Sequence, residues 1–221
     1  MEPTVQFFSG FAPSDMWFMA QAAWRTLVIS VVSISLGTLL GAFFGWVLYE
    51  GKFWATAGLA AFLDIFRSVP LLIQLVLFFN LAPIVGLDLD AFASGVVVLT
   101  IYTAALVANV ARGGLEAVGT PMRRAARSLG MSYWQALRYV VFPIGGRAVF
   151  PSWIGVALGV MKDSALVSVL GYVELLRASQ ILITRTQEPF LILAIAGAFY
   201  FALSFPVARY AEKLEQKWAI R

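Results

Sequence analysis

Four ionisable side chains stand inside otherwise apolar stretches of the chain: Asp64 with Arg67, and Lys162 with Asp163. A charge at bilayer depth is costly unless it is paired or faces water, so each is a functional candidate by default. Asp64 and Arg67 are spaced to pair on one face of a helix. Pro70 then removes a backbone donor and breaks that helix, which is tolerated at membrane depth where the break lines a cavity. The pattern suits either a structural ion pair beside a kink or a segment lining a translocation path. Lys162 and Asp163 are adjacent, so on a helix they point about 100° apart and cannot face each other. A zwitterionic ligand would offer what they lack: an ammonium for Asp163, and a carboxylate for Lys162 or Arg67. Ser164 and Ser168 can add hydroxyl contacts, and Gln74 an amide. The competing role for Asp163 is a structural bridge to Arg67. The expected substrate path is thus Asp163, Lys162, Arg67, Gln74, Ser164, Ser168 and Asp64.

Other chemistry is excluded by composition. With no histidine and no cysteine, there is no Ser-His-Asp arrangement, thiolate metal site or disulfide framework. No G-x-x-x-x-G-K-[ST] pattern occurs, so the chain cannot cradle ATP in that manner. A membrane-embedded enzyme would have to rely on Asp64 and Asp163. No cofactor or metal is expected in the chain itself.

The elements that must hold these residues are membrane helices. Hydrophobic residues make up 61% of the 221 and charged residues 13%, against about 45–50% and about 25% in soluble domains. A span needs about 20 apolar residues. Five stretches qualify, at about Thr26–Tyr49, Trp54–Ile84, Phe92–Ala111, Ala148–Gly171 and Phe190–Tyr210. Met1, Glu2, Pro3 and Thr4 lack a basic start, and Asp15 interrupts the early apolar run, so no cleavable signal is expected. With the N-terminus outside, the inner side receives Lys52, Arg112, Arg123, Arg124, Arg127, Arg138, Arg147, Arg209, Lys213, Lys217 and Arg221. The outer side receives only Arg25, Arg177 and Arg185, with Asp88 and Asp90. The bias predicts N-out and C-in, which an odd number of spans permits. Gly37, Gly41 and Gly45 form a small-residue ladder for close helix packing, either within the chain or against a second subunit. One membrane domain, 1–221, is expected.

The loop between spans three and four, 119–143, is the most structured connector. Thr120 is a candidate N-cap with Pro121 behind it. Gly130 is a candidate stop. Ser132 with Gln135 forms a capping box for a second short helix, and Pro143 discourages continuation. Met122, Ala125, Ala126 and Leu129 recur at helical spacing. The product is a basic helical hairpin on the inner face. A nucleic-acid role does not suit a hairpin tethered between spans. Its residues alone leave open a helix lying on anionic lipid and a docking site for a soluble partner.

The same segment resembles the loop signature of binding-protein-dependent ABC importer permeases: E-A-A, three residues, then Gly, ending at a proline. Ala125, Ala126, Gly130 and Pro143 sit at that spacing, with Arg124 in place of the glutamate. Phe66 to Leu75 resembles the "RG-x-P-L-L-x-Q-L" segment of the polar amino-acid subfamily. Met161 to Val169 resembles its "L-K-D-T-S-L-V-S-V", and Glu174 to Gln180 its "E-L-L-R-A-A-Q". An acidic residue frequent in the third span is replaced by Asn109. The resemblance covers about 20–217. It implies an all-α, type I importer permease with five spans in a bacterial inner membrane, in which the hairpin is a coupling helix. Arg123, Arg124, Ala125, Ala126, Leu129 and Gly130 would then contact an ATP-binding subunit. Implied partners are a dimer of that subunit carrying ATP and Mg, a second permease copy or paralogue, a soluble substrate-binding protein and membrane lipid. An ion-coupled secondary transporter and a non-transporting assembly subunit are the alternatives.

Overall fold

The structure, a computed structural model, describes residues 10–219. Met1 to Thr4, read above for a cleavable signal, and Arg221, counted above for topology, lie outside them. The described residues form helices joined by short connectors, with no strand: α1 Pro13–Glu50, α2 Phe53–Ser68, α3 Leu71–Leu81, α4 Ala91–Ala117, α5 Thr120–Ser128, α6 Tyr133–Ala136, α7 Phe142–Asp163, α8 Leu175–Thr186 and α9 Pro189–Ala219. Three long helical runs, α1, α4 and α9, are apolar enough to cross a membrane. So is the run from Tyr133 to Leu170, and the bent pair α2–α3 completes five.

Helix α1 begins well before the expected Thr26. Asp15 does not interrupt it, because its carboxylate accepts the Ala12 N–H at 2.8 Å and pairs with Arg185 of α8. The most extensive packing in the chain joins α1 to α4, and the glycine ladder is its cause. A Cβ on Gly41 would stand 2.8 Å from the Ala104 carbonyl oxygen, and one on Gly45 would stand 2.6 Å from that of Ala108. The two backbones touch where side chains are missing, so the ladder serves packing inside the chain. Asp90 opens α4 as its N-cap, accepting the Ala93 N–H at 2.7 Å. Helix α7 crosses α4 at another glycine contact, Gly114 against Gly145.

Two stretches depart from regular helix. The expected break at Pro70 is a bend of 105° between α2 and α3. The expected stop at Pro143 does not occur. A π-helical turn, Leu137–Val141, leads into α7, and the Phe142 N–H reaches back to the Leu137 carbonyl. The wider turn carries the helical path past Pro143, the second residue of α7. Span four therefore starts earlier than Ala148 and ends in a 3-10 segment, Ser164–Leu170, closed by Gly171 at φ 89°.

The α1–α4 contact gives a direct expectation. Gly45→Ala should force the backbones apart and lower the stability of the purified chain by about 1–3 kcal/mol. Gly58→Ala, whose Cβ meets nothing within 4 Å, should leave the thermal midpoint in detergent unchanged. Equal midpoints for the two variants would contradict the packing described.

Candidate functional site

Helix α3 packs against the Ser164–Leu170 segment, with Leu71, Leu75, Val160 and Val167 in the shared core. This contact gathers part of the expected path. Gln74 is buried, and its Nε2 donates to the carbonyls of Phe66 and Val69, both at 2.7 Å. Phe66 lies in the last turn of α2 and Val69 caps it, next to the break at Pro70, so the carboxamide splices the two half-helices. Its Oε1 is buried with no hydrogen-bond partner among the described residues. Ser164 is fully buried, donates to the Met161 carbonyl at 2.8 Å and receives Ser30 of α1 at 3.1 Å. Ser168 is buried on the same segment.

The charged residues divide. Asp64 and Arg67 pair with each other on an exposed face of α2, so Arg67 does not bridge to Asp163. Asp163 is half-buried and has no ion-pair partner among the described residues. It lies within electrostatic reach of Tyr102 on α4 and of Lys162. Lys162 is exposed and lines a pocket of about 410 Å³ with Ala165, Tyr200, Phe201 and Ser204. The adjacent pair thus points into different surroundings, as their spacing required. Asn109 is exposed on α4.

The loop folds as the expected hairpin, displaced by one residue at its start: Gly119 is the N-cap, with Thr120 and Pro121 in the first turn of α5. Gly130 turns the chain at φ 80°, a left-handed conformation that penalises any Cβ. The capping box closes both ways: Gln135 Oε1 accepts the Ser132 N–H at 2.8 Å, and Ser132 Oγ accepts the Gln135 N–H at 3.3 Å. Ala126 is buried beneath α5.

Arg123 ties this hairpin to the membrane helices. Its Nε donates to the Val118 carbonyl at 3.0 Å, and its Nη2 to the Leu115 carbonyl at the end of α4. Its guanidinium also sits 4.7 Å from the centre of the Tyr49 ring on α1. Carbonyls at a helix end have no intrahelical donor, and the guanidinium supplies donors of the right sign for that end of the helix dipole. Arg124, Ala125, Arg127 and Leu129 remain exposed.

Sequence reasoning gave no role to the opposite end of the molecule. There Glu174 is fully buried at the start of α8. Its carboxylate accepts the N–H groups of Leu176 and Arg177, both at 2.8 Å, and the Tyr200 hydroxyl at 3.2 Å. Burial pushes this carboxyl above its ordinary range, and those donors hold it down. A signal existed, since a glutamate directly before a helical run is a candidate cap, but its burial depends on residues far away in the chain.

Loss of the Arg123 bonds should free the hairpin selectively. Arg123→Ala removes two hydrogen bonds, each worth about 0.5–1.5 kcal/mol net, and one cation–π contact of about 0.5–1 kcal/mol. Amide exchange across 119–136 should rise roughly tenfold or more, with the centre of α4 unchanged. Uniform exchange in variant and parent would remove Arg123 from this role.

Similarity to known proteins agrees with this geometry. Residues 17–220 match the family model described as "Binding-protein-dependent transport system inner membrane component". The chain is 27% identical to the "Probable glutamine ABC transporter permease protein GlnP" of Bacillus subtilis, over 96% of this chain and 98% of that one. It is also 27% identical to the "Glutamine transport system permease protein GlnP" of Escherichia coli K12, over 91% and 93%. Among solved structures it superposes on an amino acid ABC transporter with histidines, with TM-score 0.82, 29% identity and coverage of 90% and 94%. It shares its fold with the MetNI methionine ABC transporter in an inward-facing conformation, with TM-score 0.80, 20% identity and coverage of 94% and 99%. With five candidate spans and a basic hairpin between the third and fourth, the chain belongs to the family of binding-protein-dependent transport system inner membrane components.

Proposed function

We propose that this chain is the permease subunit of an ATP-driven importer for a polar amino acid, with glutamine the first candidate, in a bacterial inner membrane. A second copy or a paralogue completes the path. A soluble binding protein delivers the substrate, and a separate pair of ATP-binding subunits, holding ATP and Mg, performs the hydrolysis. The observation that carries this function is the hairpin α5–α6, exposed on its outer side and fastened by Arg123 to α4 and α1. A rigid lever of that kind transmits force from a soluble motor to membrane helices.

Three features support an amino acid as cargo: the relatives named above, Asp163 with no ion-pair partner among the described residues, and the Oε1 of Gln74 with no hydrogen-bond partner among them. An unpaired carboxylate at membrane depth is costly, and a transported ammonium offsets that cost whenever substrate is present. Ser164 and Gln74 already hold the backbone around the α2–α3 break and the 3-10 segment, so their first task is to shape the path.

Purification with the native partners and reconstitution into vesicles tests the proposal. ATP hydrolysis should rise several-fold with loaded binding protein, and uptake should require ATP. Uptake driven by an ion gradient without ATP, or purification with no ATP-binding subunit attached, would contradict it. Within that assay Asp163→Asn should assemble normally, since no protein cation is left unpaired. It should weaken apparent substrate affinity roughly 10- to 150-fold, the equivalent of losing a charge-assisted hydrogen bond of about 1.5–3 kcal/mol. A well-folded Asp163→Asn complex with parental uptake would remove Asp163 from the path.

A further inference from the structure

At the hairpin end of the molecule, α1, α4 and α7 leave a hollow of about 490 Å³ between them, within the range of about 300–1,000 Å³ usual for ligand pockets. Its cause is residue size. Gly114 of α4 and Gly145 of α7 meet backbone to backbone, and with Ala111 they make a floor of backbone and methyl groups. Around that floor stand the rings of Phe43 and Trp46 on α1, Trp134 on α6 and Phe142 on α7. The Trp46 and Trp134 rings lie 6.2 Å apart, centre to centre. Trp46 Nε1 also donates to the Tyr133 hydroxyl at 3.0 Å, which ties this wall together. The π-helical turn adds Leu137 and Val141 to the lining. Such turns are frequent at functional sites.

The hollow has a direction. On α1 its lining runs from Trp46 back to Ala42, on α4 from Leu115 back to Ala111, and on α7 from Phe142 on to Val149. All three lead away from the hairpin, so the hollow runs along the spans from the interface toward the hydrocarbon. Apart from the indole N–H groups, its side chains carry no polar atom. A helix with its side chains is about 10–12 Å across and has no room there. A chain of methylenes has.

A cation marks the mouth. Arg138 lies four residues after Trp134 and four before Phe142, on the side of the helical run that both present to the hollow. It is exposed and enters no ion pair among the described residues, and its guanidinium is 5.9 Å from the centre of the Tyr139 ring. Tryptophan and tyrosine gather where headgroups begin. Basic residues beside pockets between inner-side helices hold anionic headgroups.

We propose that this hollow is a specific phospholipid site, in which one acyl chain of an inner-leaflet lipid lies between α1, α4 and α7 and its anionic headgroup pairs with Arg138. The guanidinium offers a phosphate two parallel donors. Because Trp134 and Leu137 belong to the lining, the bound chain packs the base of the hairpin against α1 and α4. The site stands whatever the chain transports.

The test uses the full chain in phosphatidylcholine nanodiscs. The probe is a phosphatidylglycerol with a photoactivatable diazirine at the end of one acyl chain. Labelling should saturate and map to the deep end of the hollow, around Ala42, Ala111 and Val149. A phosphatidylcholine carrying the same diazirine should label it less, on the order of fivefold for one arginine near an anionic headgroup. Gly146→Phe fills the hollow from α7, where a Cβ meets nothing within 4 Å, and Ala42→Phe fills it from α1. Each should keep the parental thermal midpoint and cut labelling at least tenfold, while Gly58→Phe on α2 leaves it unchanged. Should one filling lower the midpoint, the other decides, together with the two probes on the parent. Arg138→Gln should bring the anionic probe down to the level of the zwitterionic one. Labelling spread evenly along the spans, labelling untouched by the fillings, or equal labelling of the parent by both probes overturns the proposal. No labelling of the hollow, with Trp134 crosslinked instead to a second copy of the chain, assigns the hollow to a subunit interface and also overturns it.

Discussion

In an apolar solvent every peptide group has to find its partner inside the protein. A helix ends with carbonyls or N–H groups that its own turns cannot satisfy. This chain breaks or ends its helices repeatedly, and at the decisive places a side chain closes the gap. Gln74 donates to the carbonyls released where α2 bends into α3. Glu174 accepts the first N–H groups of α8. Arg123 donates to the carbonyls near the end of α4. Each of these groups lets the chain change direction without leaving backbone groups unsatisfied, and each therefore fixes an angle between elements. The residues around the α2–α3 break and the hairpin inherit their positions from these angles.

Close approach of α1 and α4 is the second condition. With Gly41 and Gly45 against the carbonyls of Ala104 and Ala108, the two helices form a rigid pair. Tyr49 lies near the end of α1 and Leu115 near the end of α4. Arg123 reaches both. A displacement of the hairpin is thereby delivered to the most tightly packed pair in the molecule. At the same time α4 touches α7 through Gly114 and Gly145. Movement at the hairpin therefore has a short mechanical route to the helix that carries Asp163.

Local physics made some of this legible in the sequence. Pro70 announced its break because a missing donor acts on its own turn. Ser132 with Gln135, and Gly130 as a turn, were readable for the same reason. The glycine ladder signalled close packing, though not which helix would fill it. Residues whose meaning depends on distant partners were misread or passed over. Asp15 looked like an interruption because Arg185 is 170 positions away. Helix α8 is too short to register as a span, and the partners of Glu174 include Tyr200 of α9, 26 positions away. Pro143 looked like a stop because nothing local forecasts a π-helical turn. Arg123 read as a positive-inside residue and, from the resemblance, as a contact to an ATP-binding subunit; its anchoring role was hidden, since its partners are backbone carbonyls, which carry no letter in the sequence. Of the charged candidates, Asp64 and Arg67 satisfied each other, and Asp163 has no ion-pair partner among the described residues.

The account rests on the hairpin being the part of the chain that a soluble motor grips. The sequence contains no cysteine, so a single introduced thiol reports unambiguously. A cysteine placed at Ala125 and carrying a short photoactivatable crosslinker should join the chain to an ATP-binding subunit in native membranes. The same probe at Trp17, exposed near the other end of α1, should not. Crosslinking from Trp17 and none from Ala125 would contradict the account.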